Sequence, residues 1–339
     1  PLKKSAKIVH GDALEIDWET VIPKEQLSYI IGNPPFIGSN IMKQNQRNQI
    51  VREFENIAGG GTLDYVTGWY IKSAKYIQNT KIKVAFVSTN SIVQGEQTNL
   101  LWGQMQNKYN ITTVPHILCS GFTREDTEYV LLDLQFLGIT DLLVLRGDKA
   151  KHESAFVPEG NGYSHALELE GQINDFNKGL FVDGSPIKVT GTPFSYGVAC
   201  YPEKHEESPN MEQDIYWLKK KVEAGAEYAV TQMFYDNRKY FEFVERVHKE
   251  GINVPIIPGI KPFGKLSQLS MIPKTFKIDL PQELASEAMK CKTDEEARAL
   301  GVEWCIHQCR ELIAYGVPSI HFYTVSAVES VKEVAKVIY

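Results

Sequence analysis

The sequence predicts an α/β protein whose larger part is (βα)8-barrel-like, preceded by a shorter α/β segment. Three observations carry that expectation. From residue 113 onward, short apolar stretches alternate with stretches of helical periodicity. The apolar stretches are apolar nearly throughout, as strands covered on both faces are. Most of them end in polar or backbone-special residues, where a barrel of parallel strands gathers its site. No Gly-x-Gly-x-x-Gly follows any of these strands, which argues against an open dinucleotide-binding sheet.

Element by element, the first part reads as strands at 7–13, 29–32 and 83–88 and helices at 44–57, 64–77 and 97–108, with Ala58-Gly59-Gly60-Gly61 a flexible loop. The second part reads as strands at 113–119, 141–148, 196–201, 228–234, 255–260 and 319–324. Its helices are expected at 124–136, 165–177, 213–224, 237–249, 293–315 and 328–338. Those are six βα units where a closed barrel needs eight. The strands at 29–32 and 83–88, each followed by a helix, would raise the count to eight if they paired with the other six.

Composition bounds the class. The 339 residues are 43% hydrophobic and 23% charged, as in an ordinary soluble globular chain of two domains or one large barrel. No apolar run of membrane-spanning length occurs, since residues 129–145 are broken by Asp133, Gln135 and Asp141. No secretory signal pattern opens the chain, and Pro1 in place of Met suggests that the true N-terminus lies outside this sequence. Five cysteines without framework spacing fit free thiols in a reducing cytoplasm. Residues 1–110 carry 12 Lys+Arg against 9 Asp+Glu, net +3, and residues 111–339 carry 24 against 33, net −9. A balance of +3 does not by itself indicate nucleic-acid binding, but the contrast suggests two parts of different history, joined near 107–113.

Asn33-Pro34-Pro35-Phe36 follows the strand at 29–32. The prolines cannot donate ladder hydrogen bonds, so the strand ends there in a stiff, extended loop. Asn33 could accept from an exocyclic amino group and Phe36 could stack on a flipped base; a plain loop after a strand reads equally well. In the second part, Arg146-Gly147-Asp148 ends an apolar strand, either as a place of close backbone approach to a ligand or as a solvated loop. Gln232 at a strand end offers a donor and an acceptor, or is a satisfied amide at the barrel mouth. His116 and His205, at or just after strand ends, are ligand contacts or structural hydrogen-bonders. Lys221, in Lys219-Lys220-Lys221, either neutralises phosphate or lies on a solvated helix face. Cys305 and Cys309 stand one helical turn apart, but no second pair completes a four-ligand zinc site, so no metal is expected.

Two resemblances follow from these motifs. From about 7 to 109 the chain resembles adenine-N6 DNA methyltransferases of the large restriction–modification type, through 8–14, 30–36, 62–66, 84–92 and 94–97. The resemblance implies that Asn33, Pro34, Pro35 and Phe36 hold a target adenine and that Asp12 lies near the adenine of S-adenosylmethionine. The family's glycine-rich cofactor loop has no counterpart here, so neither S-adenosylmethionine nor DNA is expected as a partner.

From about 113 to 339 the chain resembles methylenetetrahydrofolate reductase, a TIM-barrel flavoenzyme that passes hydride from NAD(P)H through FAD to the folate. The motifs are Val114-Pro115-His116-Ile117-Leu118-Cys119, Leu145-Arg146-Gly147-Asp148, Tyr201-Pro202-Glu203-Lys204-His205, Thr231-Gln232-Met233-Phe234-Tyr235-Asp236, Pro258-Gly259-Ile260 and His321-Phe322-Tyr323-Thr324. The resemblance implies FAD contacts at His116, Arg146, Gly147, Asp148, Tyr163, Ser164, Ala199, Tyr201, His205, Asp214, Lys221 and Val230. It implies substrate contacts at Gln232 and Tyr323, with Asp148, Gln232 and Tyr323 as the catalytic set. A folate substrate and a homo-oligomer are implied likewise; NADH and NADPH are left open. The family's first two βα units, including a Phe-Glu-Phe-Phe-Pro-Pro segment whose Glu is the general acid, have no counterpart motif. Ile31 stands three residues before Pro34, where that Glu would be. Impaired folate reduction is therefore expected, with adenine-N6 methylation and an inactive fused product as the rival readings.

Overall fold

The computed structural model describes residues 9–27, 29–55, 59–80, 82–86, 96–109, 113–149, 153, 155–188, 191–324 and 327–338. The chain divides into two compact units, Pro1–Thr112 and Thr113–Tyr339.

The first unit runs α1 (Trp18–Val21), β1 (Tyr29–Gly32), α2 (Gln44–Glu53), α3 (Thr67–Tyr76), β2 (Lys83–Phe86) and α4 (Glu96–Gly103), with short 3-10 turns between and a wide π turn at Gln104–Lys108. β1 and β2 pair in parallel, Tyr29 opposite Lys83 and Gly32 opposite Phe86. Leu14, Ile50, Leu63, Ile71 and Leu101 form its buried core. Tyr70 meets the rings of Phe86 at 5.2 Å and Trp102 at 5.7 Å edge-on, joining α3 to β2 and α4.

Two expectations for this unit need correction. Residues 9–13 form no strand, and residues 7 and 8 lie outside the described residues. The Asp12 carboxylate accepts the Leu14 amide at 2.9 Å and its carbonyl accepts the amides of Glu15 and Ile16, so the side chain offers a local turn in place of a ladder. Nor is the count of eight strands met by pairing: among the described residues β1 and β2 form a two-stranded sheet with each other. The ends of the expected elements at 56–57 and 87–88 lie outside the described residues.

In the second unit, β3 (His116–Leu118), β4 (Asp141–Leu145), β5 (Ser195–Cys200), β6 (Tyr228–Thr231) and β7 (Ile256–Ile257) form a five-stranded parallel sheet in chain order. β8 (Gly259–Ile260) pairs in parallel with β9 (His321–Phe322). The single strand expected at 255–260 is split at Pro258, which has no N–H to give a ladder and whose carbonyl instead accepts the His321 amide at 2.9 Å. The observed strands are shorter than expected at their carboxyl ends, because 146–148, 201, 232–234 and 323–324 turn out into loops. Among the described residues no ladder closes β9 onto β3.

The helices are α5 (Arg124–Phe136), α6 (Ala166–Asn177), α7 (Met211–Ala224), α8 (Asn237–Lys249), α9 (Leu266–Phe276), α10 (Gln282–Ala288), α11 (Asp294–Tyr315) and α12 (Val328–Ile338). α5 begins with a reciprocal cap: Thr123 Oγ1 accepts the Asp126 amide and Asp126 accepts the Thr123 amide. The sequence reading missed α9 and α10. Pro273 lies inside α9 and reads as a breaker, yet Ile272, Ile278 and Leu284 are buried with Phe263 and Tyr235, and that packing outweighs the lost hydrogen bond. Asn237 ties α8 to α11, donating to Gln308 O at 3.1 Å and Glu311 Oε2 at 2.6 Å. No described helix is long and apolar enough to cross a membrane.

Candidate functional site

The carboxyl ends of β3 to β6 and β9 carry the polar residues singled out above. Gly147, directly after β4 and Arg146, has φ +85°. A Cβ there would lie 2.0 Å from Ser120 Oγ and 2.8 Å from Ser120 Cβ, so only glycine fits both the backbone and the space. This turn fixes Arg146, whose guanidinium makes a paired contact with Glu207, Nη2 donating to Oε1 at 3.0 Å, and lies 5.0 Å over the Phe156 ring. The hydrogen bond holds the Glu207 carboxyl below its ordinary range. Asp148, next in the chain, is exposed.

The loop after β5 brings the next group together. The Tyr201 and His205 rings meet edge-on at 4.7 Å. Asp214 accepts the His205 amide at 2.8 Å and the Ser208 hydroxyl at 2.9 Å, so α7 anchors the loop. Burial, and then Arg146, lowers the His205 pKa, which favours a neutral imidazole. Lys221 reaches back along α7 and donates to Ala199 O at 3.2 Å. Burial lowers its pKa, opposed most by the charge of Glu170. Val230, buried on β6, lies beside Ala199 by register.

Gln232 and Tyr323, expected on the substrate side, directly follow β6 and β9. The Gln232 amide donates to Cys200 O at 2.8 Å, and its Oε1 accepts the Met233 amide at 2.9 Å, so the side chain's NH2 group has no partner among the described residues. The Tyr323 hydroxyl donates to Thr231 O at 2.8 Å, and its ring covers Gly259, where a Cβ would come within 2.6 Å of Cε2. Burial drives the Tyr323 hydroxyl well above the usual phenol range. The His321 ring lies 4.8 Å from Tyr323 and is held at a pKa of about 4 by burial and by His116. His116 on β3 is itself lowered by burial. Tyr163 is buried under Arg124, 4.8 Å from its ring, and the amide of Ser164 is held by Glu168 at 2.8 Å.

Arg146, Tyr201, His205, Asp214 and Lys221 therefore form one electrostatically linked group. Tyr323, His321 and His116 form a second, with Tyr323 also felt by Tyr201. Asp148 joins neither through a described contact. The sequence reading missed Glu207, Ser120 and Glu170, which become relevant only through packing, Glu207 as the ion-pair partner of Arg146. In the first unit, Asn33 to Phe36 form an extended loop with Phe36 46% exposed, and Asp12 accepts from Gln49 at 2.7 Å.

The profile of the methylenetetrahydrofolate reductase family matches residues 71–338. The chain belongs to the methylenetetrahydrofolate reductase family. A reductase named for NADH in Arabidopsis thaliana is 31% identical over 67% of this chain and 38% of its own length. The 5,10-methylenetetrahydrofolate reductase of Salmonella typhimurium is 28% identical over 71% of this chain and 72% of its own. The chain thus spans under two fifths of the length of the plant relative. A second profile, "MmeI, DNA-methyltransferase domain", matches residues 1–116. The MmeI restriction–modification enzyme solved with DNA is 42% identical over 34% of this chain and 16% of its own, with a TM-score of 0.32. The reductase match begins at 71, ahead of the motifs that start at Val114, and overlaps the MmeI match.

Proposed function

We propose that the chain binds FAD across the ends of β4, β5 and β6 and reduces 5,10-methylenetetrahydrofolate to 5-methyltetrahydrofolate with NAD(P)H. Membership of the reductase family over 71–338 carries this reading. The side chains fit an anionic cofactor: the half-buried Lys221 has a single described acceptor for its ammonium, Ala199 O, so two of its donors remain for phosphate oxygens. FAD, when bound, would supply the hydride relay between nicotinamide and folate. Lys221, with Arg146 nearby, would hold the pyrophosphate side. His116, Tyr163, Ser164, Ala199, Tyr201, His205, Asp214 and Val230 would line the cofactor. Gly147 permits the backbone to come close to it. The Gln232 NH2 group would orient the pterin or the nicotinamide. Tyr323, pinned by Thr231 O, would present a fixed edge to the folate. The Asp148 carboxylate would favour positive charge developing on the folate.

No counterpart of the family's general-acid Glu segment occurs in the sequence. General acid catalysis contributes about 10²–10⁴-fold, so the folate step should lag by that order. The test is to load the protein with FAD and compare NADH-driven bleaching with folate turnover, alongside the Salmonella relative. Bleaching with folate turnover slower by about 10²–10⁴-fold supports the reading. Bound flavin that neither NADH nor NADPH bleaches would overturn the reductase assignment, and folate turnover equal to the relative's would overturn the impairment.

The match of 1–116 to the MmeI domain favours one alternative, adenine-N6 methylation, with Asn33, Pro34, Pro35 and Phe36 around the base. Calorimetric binding of S-adenosylmethionine would favour it; its absence is the expected result.

A further inference from the structure

We infer that Glu170 is a positioning residue for Lys221, holding its ammonium at the end of β5 and setting, through its own proton, how strongly that ammonium meets a pyrophosphate. The inference rests on the reading of Lys221 as a residue of the cofactor's phosphate side.

Glu170 lies on α6 with no exposed surface, and neither carboxylate oxygen has a hydrogen-bond partner among the described residues. A buried, ionised carboxylate without hydrogen bonds is strongly disfavoured unless a cation stands near it. The packing of α6 on α7 supplies that cation. Asn174, one turn beyond Glu170 on the same face of α6, donates to Ala224 O at 2.7 Å and accepts from the Tyr196 hydroxyl at 3.1 Å. Ala224 lies one turn beyond Lys221 on α7. β4 and β5 are parallel, so the helices that follow them run the same way. Stepping back one turn on each therefore sets Glu170 opposite Lys221.

The pair has two relevant charge states. With Lys221 charged, the pair carries one positive charge while Glu170 is protonated and none once it ionises; burial lowers the Lys221 pKa as well, and Glu170→Gln, which leaves Lys221 free to titrate, separates the two protons. A pyrophosphate is drawn to the first state, and its binding must in turn favour the proton on Glu170. Burial pushes the Glu170 pKa up to about 8, opposed by Lys221, so the change falls in a range open to experiment. The other titratable groups facing the pair are silent there. Cys119 at the end of β3 and Tyr196 on β5 are each raised to about 12. Cys200 on β5 is raised by burial, and His205 is lowered. Asp214 and Arg146 add one charge of each sign. Glu203, in the loop after β5, is raised to about 7 by burial, and the charges that act on it are those of Asp279, Lys239 and Asp236, not those of the pair.

The experiment measures FAD dissociation by flavin fluorescence from pH 7.5 to 9.5 on the full chain, with riboflavin, which lacks phosphate, as a second probe. FAD affinity of the unaltered protein should fall above pH 8, by at most about tenfold per pH unit, the slope of one linked proton. Riboflavin affinity should not follow that slope. Glu170→Gln should abolish the FAD slope, and Lys221→Met should weaken FAD and abolish its slope. Riboflavin binding by each variant reports that the site is folded. A flat FAD profile in the unaltered protein, or an unchanged slope in Glu170→Gln, overturns the inference. Failure of the unaltered protein to bind either flavin at pH 7.5 overturns instead the cofactor reading beneath it.

Discussion

Replacing Gly147 by alanine tests the turn that presents Arg146. Two costs can be separated. Alanine at φ +85° is strained by about 1–2 kcal/mol. The new Cβ also overlaps Ser120, at 2.0 Å from Oγ and 2.8 Å from Cβ. Turning the Ser120 hydroxyl away relieves the first contact and not the second, so overpacking adds about 1–3 kcal/mol. A total near 3 kcal/mol lowers the melting temperature of a unit this size by about 6–12 °C. The assay is thermal unfolding of Gly147→Ala in three backgrounds: unaltered, Ser120→Ala and Ser120→Gly. Ser120→Ala removes Oγ and keeps the close Cβ, so it should restore little. Ser120→Gly leaves only the Ser120 amide at 3.6 Å and should restore the steric share, with about 1–2 kcal/mol of strain remaining. Equal losses in all three backgrounds would refute the steric argument, and no loss in any would refute both.

Three further outcomes are expected. Asn237→Ala takes one of two acceptors from the buried Gln308 amide, which keeps Phe234 O, and the donors to Gln308 O and the exposed Glu311 carboxylate, and should cost about 1–2 kcal/mol in urea unfolding; a cost under about 0.5 would mean that water replaces the side chain. Glu203 has its pKa raised to about 7 by burial, so its contribution to stability is complete below the unfolded carboxyl range and is lost as pH rises through 7. The unaltered protein should therefore lose stability between about pH 4.5 and 7 relative to Glu203→Gln and run parallel to it above that, and profiles parallel throughout would contradict this. In the first unit, Lys72 donates to Leu14 O at 2.6 Å and Ile16 O at 2.8 Å. Lys72→Met should destabilise that unit by about 1–3 kcal/mol, seen as lost hydrogen-exchange protection in 9–27; unchanged protection would show that these bonds carry no net stability.

Much of the second unit was legible because its signals are local. Helical periodicity placed α5 and α8 to the residue, and the parallel β3–β7 order follows from strand–helix alternation. What escaped was decided by tertiary contacts. Pro273 reads as a helix breaker until Phe263 and Leu284 are seen to pack around α9. Pro258 looks like an interruption and proves to be the switch point between two strand pairs. The strands read at 29–32 and 83–88 would make eight only if they paired with the other six, and counting says nothing about which edges meet. At the site, the motifs named Arg146, Lys221 and Tyr323. Glu170 is indistinguishable in sequence from any other helix glutamate and becomes notable only through its burial.

The central claim is that the strand ends of residues 113–339 build a flavin site. The direct measurement is the visible absorbance spectrum of the purified protein after addition of FAD and removal of the excess, followed by anaerobic NADH. A retained band near about 450 nm, a property of the flavin, that bleaches with NADH is the predicted result. A colourless protein after FAD addition would contradict the claim and leave the family likeness as a statement of ancestry.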